Sequence, residues 1–239
     1  MELNNYDLLA AKYRETDLKP DKHFSILPTV LQAVGDLSGK TVLDLGCGSG
    51  FFSRALADAG TSDVLGIDSS AAQVDLAKKE PRPNVKYLVD DVFKALLPKA
   101  DIVCASFLIN YLSSKTELVA FLKKVREALG EGGRAIFVID LPSGRDLKKY
   151  GARKTVHGSY ADGTPMTLEL FDGNEKLICV LEAYFVAPST FEAALKEAGF
   201  STVRKITPAV SKEGIDAYGE EYWRSYLVDT ELGYYLCLT

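Results

Sequence analysis

The sequence predicts an α/β fold, a three-layer αβα arrangement with helices on both faces of a mostly parallel sheet. Two observations carry this expectation. First, five apolar runs read as strands buried on both faces: TVLDLG (41–46), DVLGID (63–68), VKYLVD (85–90), ADIVCAS (100–106) and RAIFVID (134–140). Second, the segments between them, FFSRALADAG, SAAQVDLAKKE and KTELVAFLKKVREALGEGG, carry helical periodicity, and each stops at glycine or proline. Alternating strands and helices imply right-handed crossovers between parallel strands.

The remaining elements follow in order. Residues 3–37 read as helices broken at Lys19-Pro20. Residues 141–187 begin as a loop, LPSGRDLKKYGARKTVHGSY, and continue as two extended runs around Asp172-Gly173-Asn174, a hairpin signal. That insertion is too poor in apolar residues for a separate core. In PSTFEAALKEAGF, Ser189 stands three before Glu192, which predicts a capping box opening a helix that closes at Gly199. STVRKIT then reads as a strand, SKEGIDAYGEEYWRSYL as helical and ELGYYLCLT as the last strand. The expected organisation is one domain over 1–239, with a helical cap (1–37), a core (40–140), an insertion (141–187) and a closing part (188–239).

Composition narrows the function. With 28 Lys and Arg against 33 Asp and Glu, the formal charge is −5, so the basic footprint of a nucleic-acid binder is missing. The run Lys148, Lys149, Arg153, Lys154 reads as a solvated face or a local patch. Cys47, Cys104, Cys179 and Cys237 form no C-x-x-C pair, and only His23 and His157 stand beside them, so no metal site is expected. The cysteines suit reduced, buried thiols. MELNNYDLLAAKYRE lacks the apolar core of a signal peptide, and no run reaches the ~20 residues of a membrane span. A cytoplasmic, membrane-free protein is expected.

Ligands of open α/β sheets sit beyond the carboxyl ends of the strands, so the glycine turn in KTVLDLGCGSGFF is the natural place for a site. Its glycines, Gly46, Gly48 and Gly50, spell G-x-G-x-G, whereas a dinucleotide fingerprint needs G-x-G-x-x-G. Phe51, which itself reads as core packing, fills the place of that third glycine and argues against a pyrophosphate. Asp68 ends the second strand, where its carboxylate either accepts from two ribose hydroxyls or caps the next helix at Ser69 or Ser70.

Asp44, the three glycines and Asp68 together resemble the class I S-adenosylmethionine-dependent methyltransferases, and VLDLGCGSG is similar to that family's first motif over nearly every residue. The likeness extends over most of 40–140. It implies a Rossmann-like, mostly parallel seven-stranded sheet with an antiparallel final strand, an N-terminal helical lid and a β-hairpin insertion. It further implies S-adenosylmethionine as cofactor, S-adenosylhomocysteine as product and no metal. The cofactor residues it implies are Gly46, Cys47 and Gly48 around the amino-acid part, Asp44 on the ammonium group, and Asp68 with Ser69 on the ribose. Asp91 and the Val92 amide would meet the adenine, with Asp90 as rival to Asp91. Ser106 and Phe107, from ASFLINYL, would flank the cofactor, with Tyr13 above it.

ASFLINYL has no proline and so departs from the Asn/Asp-Pro-Pro-aromatic signature of nucleic-acid amino methyltransferases. A small organic acceptor remains, methylated at nitrogen or oxygen, with a non-catalytic or protein-directed partner subunit as the alternative. The candidate residues on the acceptor side are Asn110, Tyr111 and the strand-end Asp140. Tyr6 and Tyr13 share one helix face, as a lid or as a simple docking contact. His157 is the candidate base, because histidine titrates near neutral pH, with His23 behind it. Tyr218, Tyr222, Trp223 and Tyr226 recur at helical spacing, as core or as a planar pocket. The layout resembles the bacterial azapteridine N-methyltransferases, which implies a heterocyclic or secondary metabolite as acceptor.

Overall fold

The computed structural model describes residues 4–239, so the first three residues of the expected cap lie outside the described residues. Helix α1 (Tyr6–Glu15) is capped by Asn5, whose side chain accepts from the Leu8 N–H at 3.1 Å. A short 3-10 turn ends at Lys19, which is extended because proline follows it. A π-helical turn (Lys22–Ile26) then runs into α2 (Leu27–Val34).

The core follows as β1 (Thr41–Leu45), α3 (Phe51–Asp58), β2 (Asp63–Asp68), α4 (Ala71–Lys78), β3 (Val85–Val89), β4 (Ala100–Ser106), α5 (Lys115–Ala128) and β5 (Leu129–Asp140). Ser70 caps α4 by accepting from the Gln73 N–H at 3.1 Å, and Ser114 caps α5 by accepting from Glu117 at 3.3 Å.

The insertion is richer than a hairpin. The stretch expected as a loop holds β6 (Asp146–Leu147) and β7 (Ala152–Val156), which join β8 (Pro165–Phe171) and β9 (Leu177–Tyr184) in a four-stranded antiparallel sheet, β6-β7-β8-β9. The β8–β9 turn falls where expected, with the Asp172 carboxylate accepting from the N–H groups of Asn174 and Lys176 at 2.9 Å each.

Helix α6 (Pro188–Glu197) corrects the capping expectation, because Ser189 lies inside its first turn behind Pro188. Asp162 serves that end instead, accepting from Ala187 N–H at 2.7 Å and the Thr190 hydroxyl at 2.6 Å. The chain ends with β10 (Thr202–Ile206), α7 (Lys212–Tyr218), α8 (Glu220–Val228) and β11 (Leu232–Leu238). Gly219 at φ 82° splits the last helical stretch in two.

The main sheet has seven strands in the order β10-β11-β5-β4-β1-β2-β3. Strands β1 to β5 pair in parallel, and β11 runs antiparallel to both β5 and β10, as expected of the final strand. Apolar layers cover both faces, with Leu122, Phe137 and Phe191 on one and Val30, Leu56 and Ile102 on the other. Each such side chain contributes about 1.5–3 kcal/mol by leaving water. The second sheet packs Met166, Leu168 and Leu181 against Tyr6, Leu9 and Tyr13 of α1. No helix among the described residues is long and apolar enough to cross a membrane.

Candidate active site

Strand order reverses between β1 and β4, and a crevice opens beyond their carboxyl ends. It forms a cleft of about 680 Å3. The loops after successive strands line it: Gly46 and Gly48 after β1, Asp68 and Ser69 after β2, Asp91 and Val92 after β3, Ser106 and Phe107 after β4. Asp91 lines the cleft and its rival Asp90 does not. The Asp91 carboxylate also accepts from Phe93 N–H at 2.9 Å and pairs with Lys94 at 2.7 Å.

The turn after β1 has glycine where backbone sterics demand it. Gly48 sits at φ 52° and Gly50 at φ 81°, and a Cβ on Gly50 would overlap the Tyr87 hydroxyl. Asp68 knits this turn to the next one: its carboxylate accepts from Gly48 N–H at 2.8 Å and from Ser70 N–H at 2.9 Å. Burial raises the Asp68 carboxyl above its usual range, and these two N–H groups oppose that rise. The residue therefore lines the cleft and organises its floor together.

Two expected contacts lie beneath the turn instead. Asp44 is 1% exposed, accepts from the Ser53 hydroxyl at 2.5 Å and does not line the cleft. Cys47 is buried with its Sγ 3.7 Å from the Gly48 carbonyl and is also off the cleft. Ser53 of α3 holds Asp44 from below, and Cys47 packs toward Gly66 of β2, where a Cβ would stand 3.0 Å from its Sγ.

Burial pushes the Asp44 carboxyl up to about 6, against a Ser53 hydroxyl that lowers it. Asp44→Asn is therefore expected to stabilise the protein at pH 8 by up to about 3 kcal/mol, because the folded state binds this proton more tightly than the unfolded chain does. The stability linked to that proton is fully present below the unfolded value of 3.8 and is lost as pH rises through about 6. Urea unfolding at pH 5 and pH 8 checks this: the variant should gain over wild type at both, about half as much at pH 5, where only the unfolded carboxyl has ionised.

Gln73 carries no motif signal and was not expected at the site. It is 1% exposed, it lines the cleft, and neither carboxamide atom finds a partner among the described residues. Its Oε1 lies 3.9 Å from where a Cβ on Gly48 would stand. A buried carboxamide left open on both sides fits a ligand group that both donates and accepts, as the zwitterionic amino-acid part of S-adenosylmethionine does. A polar residue on the inner face of α4 is the one sequence signal that marks it.

Helix α1 roofs the cleft. The Tyr6 and Tyr111 hydroxyls share a hydrogen bond, and the Tyr13 ring stands edge-on to Tyr6 at 5.3 Å. Burial raises all three phenols. The start of the helix is fastened on two sides. Asp7 accepts from the Ser70 hydroxyl at 2.6 Å and from Ala72 N–H at 3.0 Å, while Asn4 pairs with the Glu182 backbone at 2.8 and 2.9 Å.

Tyr13, Phe107 and Tyr111 also wall a second cavity of about 60 Å3, bordered by the Thr16–Ile26 segment and the second sheet. Phe107 holds φ 60°, a conformation that costs a non-glycine residue energy, and its N–H donates to Val138 O at 2.7 Å. Asp140 lines this cavity and pairs with Lys154 Nζ at 2.8 Å. Lys154 also donates to the Glu231 carbonyl at 2.6 Å, so a residue expected on a solvated face is buried.

Other expectations are corrected. Asn110 lines the smaller cavity, but its carboxamide is fully engaged: it donates to the carbonyls of Asp140 at 3.1 Å and Tyr184 at 3.2 Å and accepts from Asp140 N–H at 2.8 Å. His157 is exposed at the end of β7, bonds the Thr167 hydroxyl at 2.5 Å and lines neither cavity, so this candidate base stands away from both. Trp223 is core, donating its indole N–H to Gly214 O at 2.7 Å, and Tyr222 donates to Lys149 O at 3.0 Å. Neither lines the cleft or the smaller cavity; of the late aromatic group Tyr226 alone lines one of the two. His23 packs edge-on against Phe51 at 5.0 Å, which places Phe51 in packing.

Comparison with known proteins agrees with this geometry. Residues 42–133 match the family model described as "Methyltransferase domain". A ubiquinone biosynthesis O-methyltransferase of Acinetobacter baylyi is 26% identical over 147 residues, covering 57% of this chain, and the chain spans only 60% of that relative's length. An N-demethylindolmycin N-methyltransferase of Streptomyces griseus is 26% identical over 167 residues, 68% of this chain and 70% of the relative. A solved S-adenosylmethionine-dependent methyltransferase from Mesorhizobium loti superposes with a TM-score of 0.65 at 19% identity, covering 94% of this chain and 100% of that one. Residues 42–133 are thus similar to a methyltransferase domain, and the whole chain has the fold of the solved methyltransferase.

Proposed function

We propose that this protein transfers a methyl group from S-adenosylmethionine to the nitrogen or oxygen of a small organic acceptor. One observation carries the reading: a cofactor-sized cleft and a smaller, more apolar cavity meet at a single wall of Tyr13, Phe107 and Tyr111. The sulfonium cofactor supplies an already activated methyl group, so the chain's own task is binding, alignment and exclusion of water. In this reading Asp68 holds the ribose hydroxyls, Gly46, Gly48 and Gln73 receive the amino-acid part, and Asp91 with the Val92 amide meets the adenine. Tyr6, Tyr13 and Tyr111 seal the cleft from above. The relatives named for ubiquinone biosynthesis and N-demethylindolmycin support a small acceptor, while the ribosomal protein L11 methyltransferases, 32–34% identical over 104–105 residues, stand on the side of the protein-directed alternative.

Calorimetry and a transfer assay test this together. S-adenosylhomocysteine should bind and NADH should not. Labelled methyl from S-adenosylmethionine, incubated with a cell extract, should enter the fraction below 1 kDa. Label confined to protein would favour the protein-directed alternative, and absence of S-adenosylhomocysteine binding would remove the reading altogether.

A further inference from the structure

The small cavity is built unlike a plain apolar pocket. Leu147, Leu168, Leu181 and Ala183 supply apolar wall, yet three lysines and two aspartates also border it. Their charges are matched pairwise: Lys154 with Asp140 at 2.8 Å, Lys22 with Asp17 at 2.5 Å, Lys19 with Asp21 at 3.5 Å. No surplus charge remains for an ionic occupant, and a bare ion there would lose its hydration with nothing to replace it.

Two polar atoms on this wall are open. Asp21 is 5% exposed, and its Oδ1 has no hydrogen-bond partner among the described residues. Tyr226 is 1% exposed, and its hydroxyl, though near Ser25 and Tyr234, makes no hydrogen bond of acceptable geometry. Both line the small cavity, and neither lines the large cleft. They therefore lie off the wall shared with the cofactor cleft. An open carboxylate oxygen accepts, and a phenol beside it donates. One group satisfies both: an uncharged O–H or N–H that gives its hydrogen to Asp21 and offers its lone pair to Tyr226. A cavity of about 60 Å3 holds the volume of roughly four or five water-sized spheres, which is the tip of a small molecule.

We propose that Asp21 and Tyr226 anchor an uncharged hydroxyl or N–H group of the acceptor, so that the acceptor class is a neutral hydrogen-bond donor with an apolar body. This rests on the methyltransfer reading only in naming the occupant an acceptor; the preference of the cavity is measurable alone. The probes are butan-1-ol, its isomer diethyl ether, which lacks the donor, and butylamine, a cation at pH 7. Each is titrated into the full chain saturated with S-adenosylhomocysteine, and Tyr13 and Tyr226 ring signals are followed by NMR.

Butan-1-ol is expected to bind at least tenfold more tightly than either ether or butylammonium, and Asp21→Ala should erase that preference. Ether binding as well as butan-1-ol would overturn the proposal, leaving Asp21 to a buried water. Tighter binding of butylammonium would overturn it in favour of a cation site. The wild-type comparison needs no variant, so it decides even where Asp21→Ala fails to fold. S-adenosylhomocysteine affinity in the same samples reports separately on the methyltransfer reading, and the probe series can be repeated without that ligand if it does not bind.

Discussion

Asp68→Ala is expected to weaken S-adenosylhomocysteine binding by about 1.5–3 kcal/mol, roughly ten- to a hundredfold in Kd, the worth of hydrogen bonds to a charged group in a buried site. The loss has two sources. The ribose would lose its acceptor, and the Gly48 and Ser70 N–H groups would lose theirs, because both donate to this carboxylate. The second source predicts a signature: Asp68→Asn, which keeps one acceptor oxygen, should recover part of the affinity. Calorimetry on the three proteins checks it, and equal Kd for wild type and Asp68→Ala would remove Asp68 from the site.

Asn110→Leu should destabilise the fold by about 3–5 kcal/mol. The substitution is close in volume but leaves three buried backbone groups, Asp140 O, Asp140 N–H and Tyr184 O, without this partner. Each costs about 1–3 kcal/mol when left unmade in the interior. The position matters beyond its bonds, since this carboxamide joins the end of β5 in the main sheet to the end of β9 in the second one. Urea unfolding should show the lost stability. A change below 1 kcal/mol would mean that water replaces the side chain.

The main sheet was legible because parallel strands buried on both faces read as unbroken apolar runs, and TVLDL and ADIVCAS are such runs. The glycine turn was legible for a steric reason, since three left-handed positions in five residues leave little choice of residue. The second sheet hid its first two strands because β7 reads ARKTV, whose charges suggest a loop. Lys154 of that strand is buried only because Asp140 and the Glu231 carbonyl, far away in sequence, receive it.

Site residues divided along the same line. The residues that line the cleft in the loops after β1 to β4 are those the family resemblance implies, while Gln73, Asp21 and Tyr226 stand out only by what they fail to bond. His157 and Trp223 misled because residue type suggested chemistry that their placement does not allow. Asn110 was expected beside substrate and is found holding two sheets together.

The double fastening of α1 has a thermodynamic consequence. The helix is tied to the Ser70 turn of the cofactor side through Asp7 and to β9 of the acceptor side through Asn4. Its tyrosines face both volumes. A ligand on one side that favours this seating of α1 raises affinity on the other, and linkage makes that factor the same in both directions. Two ligands, one on each side, are then coupled through the seating of one helix, with no contact between them required.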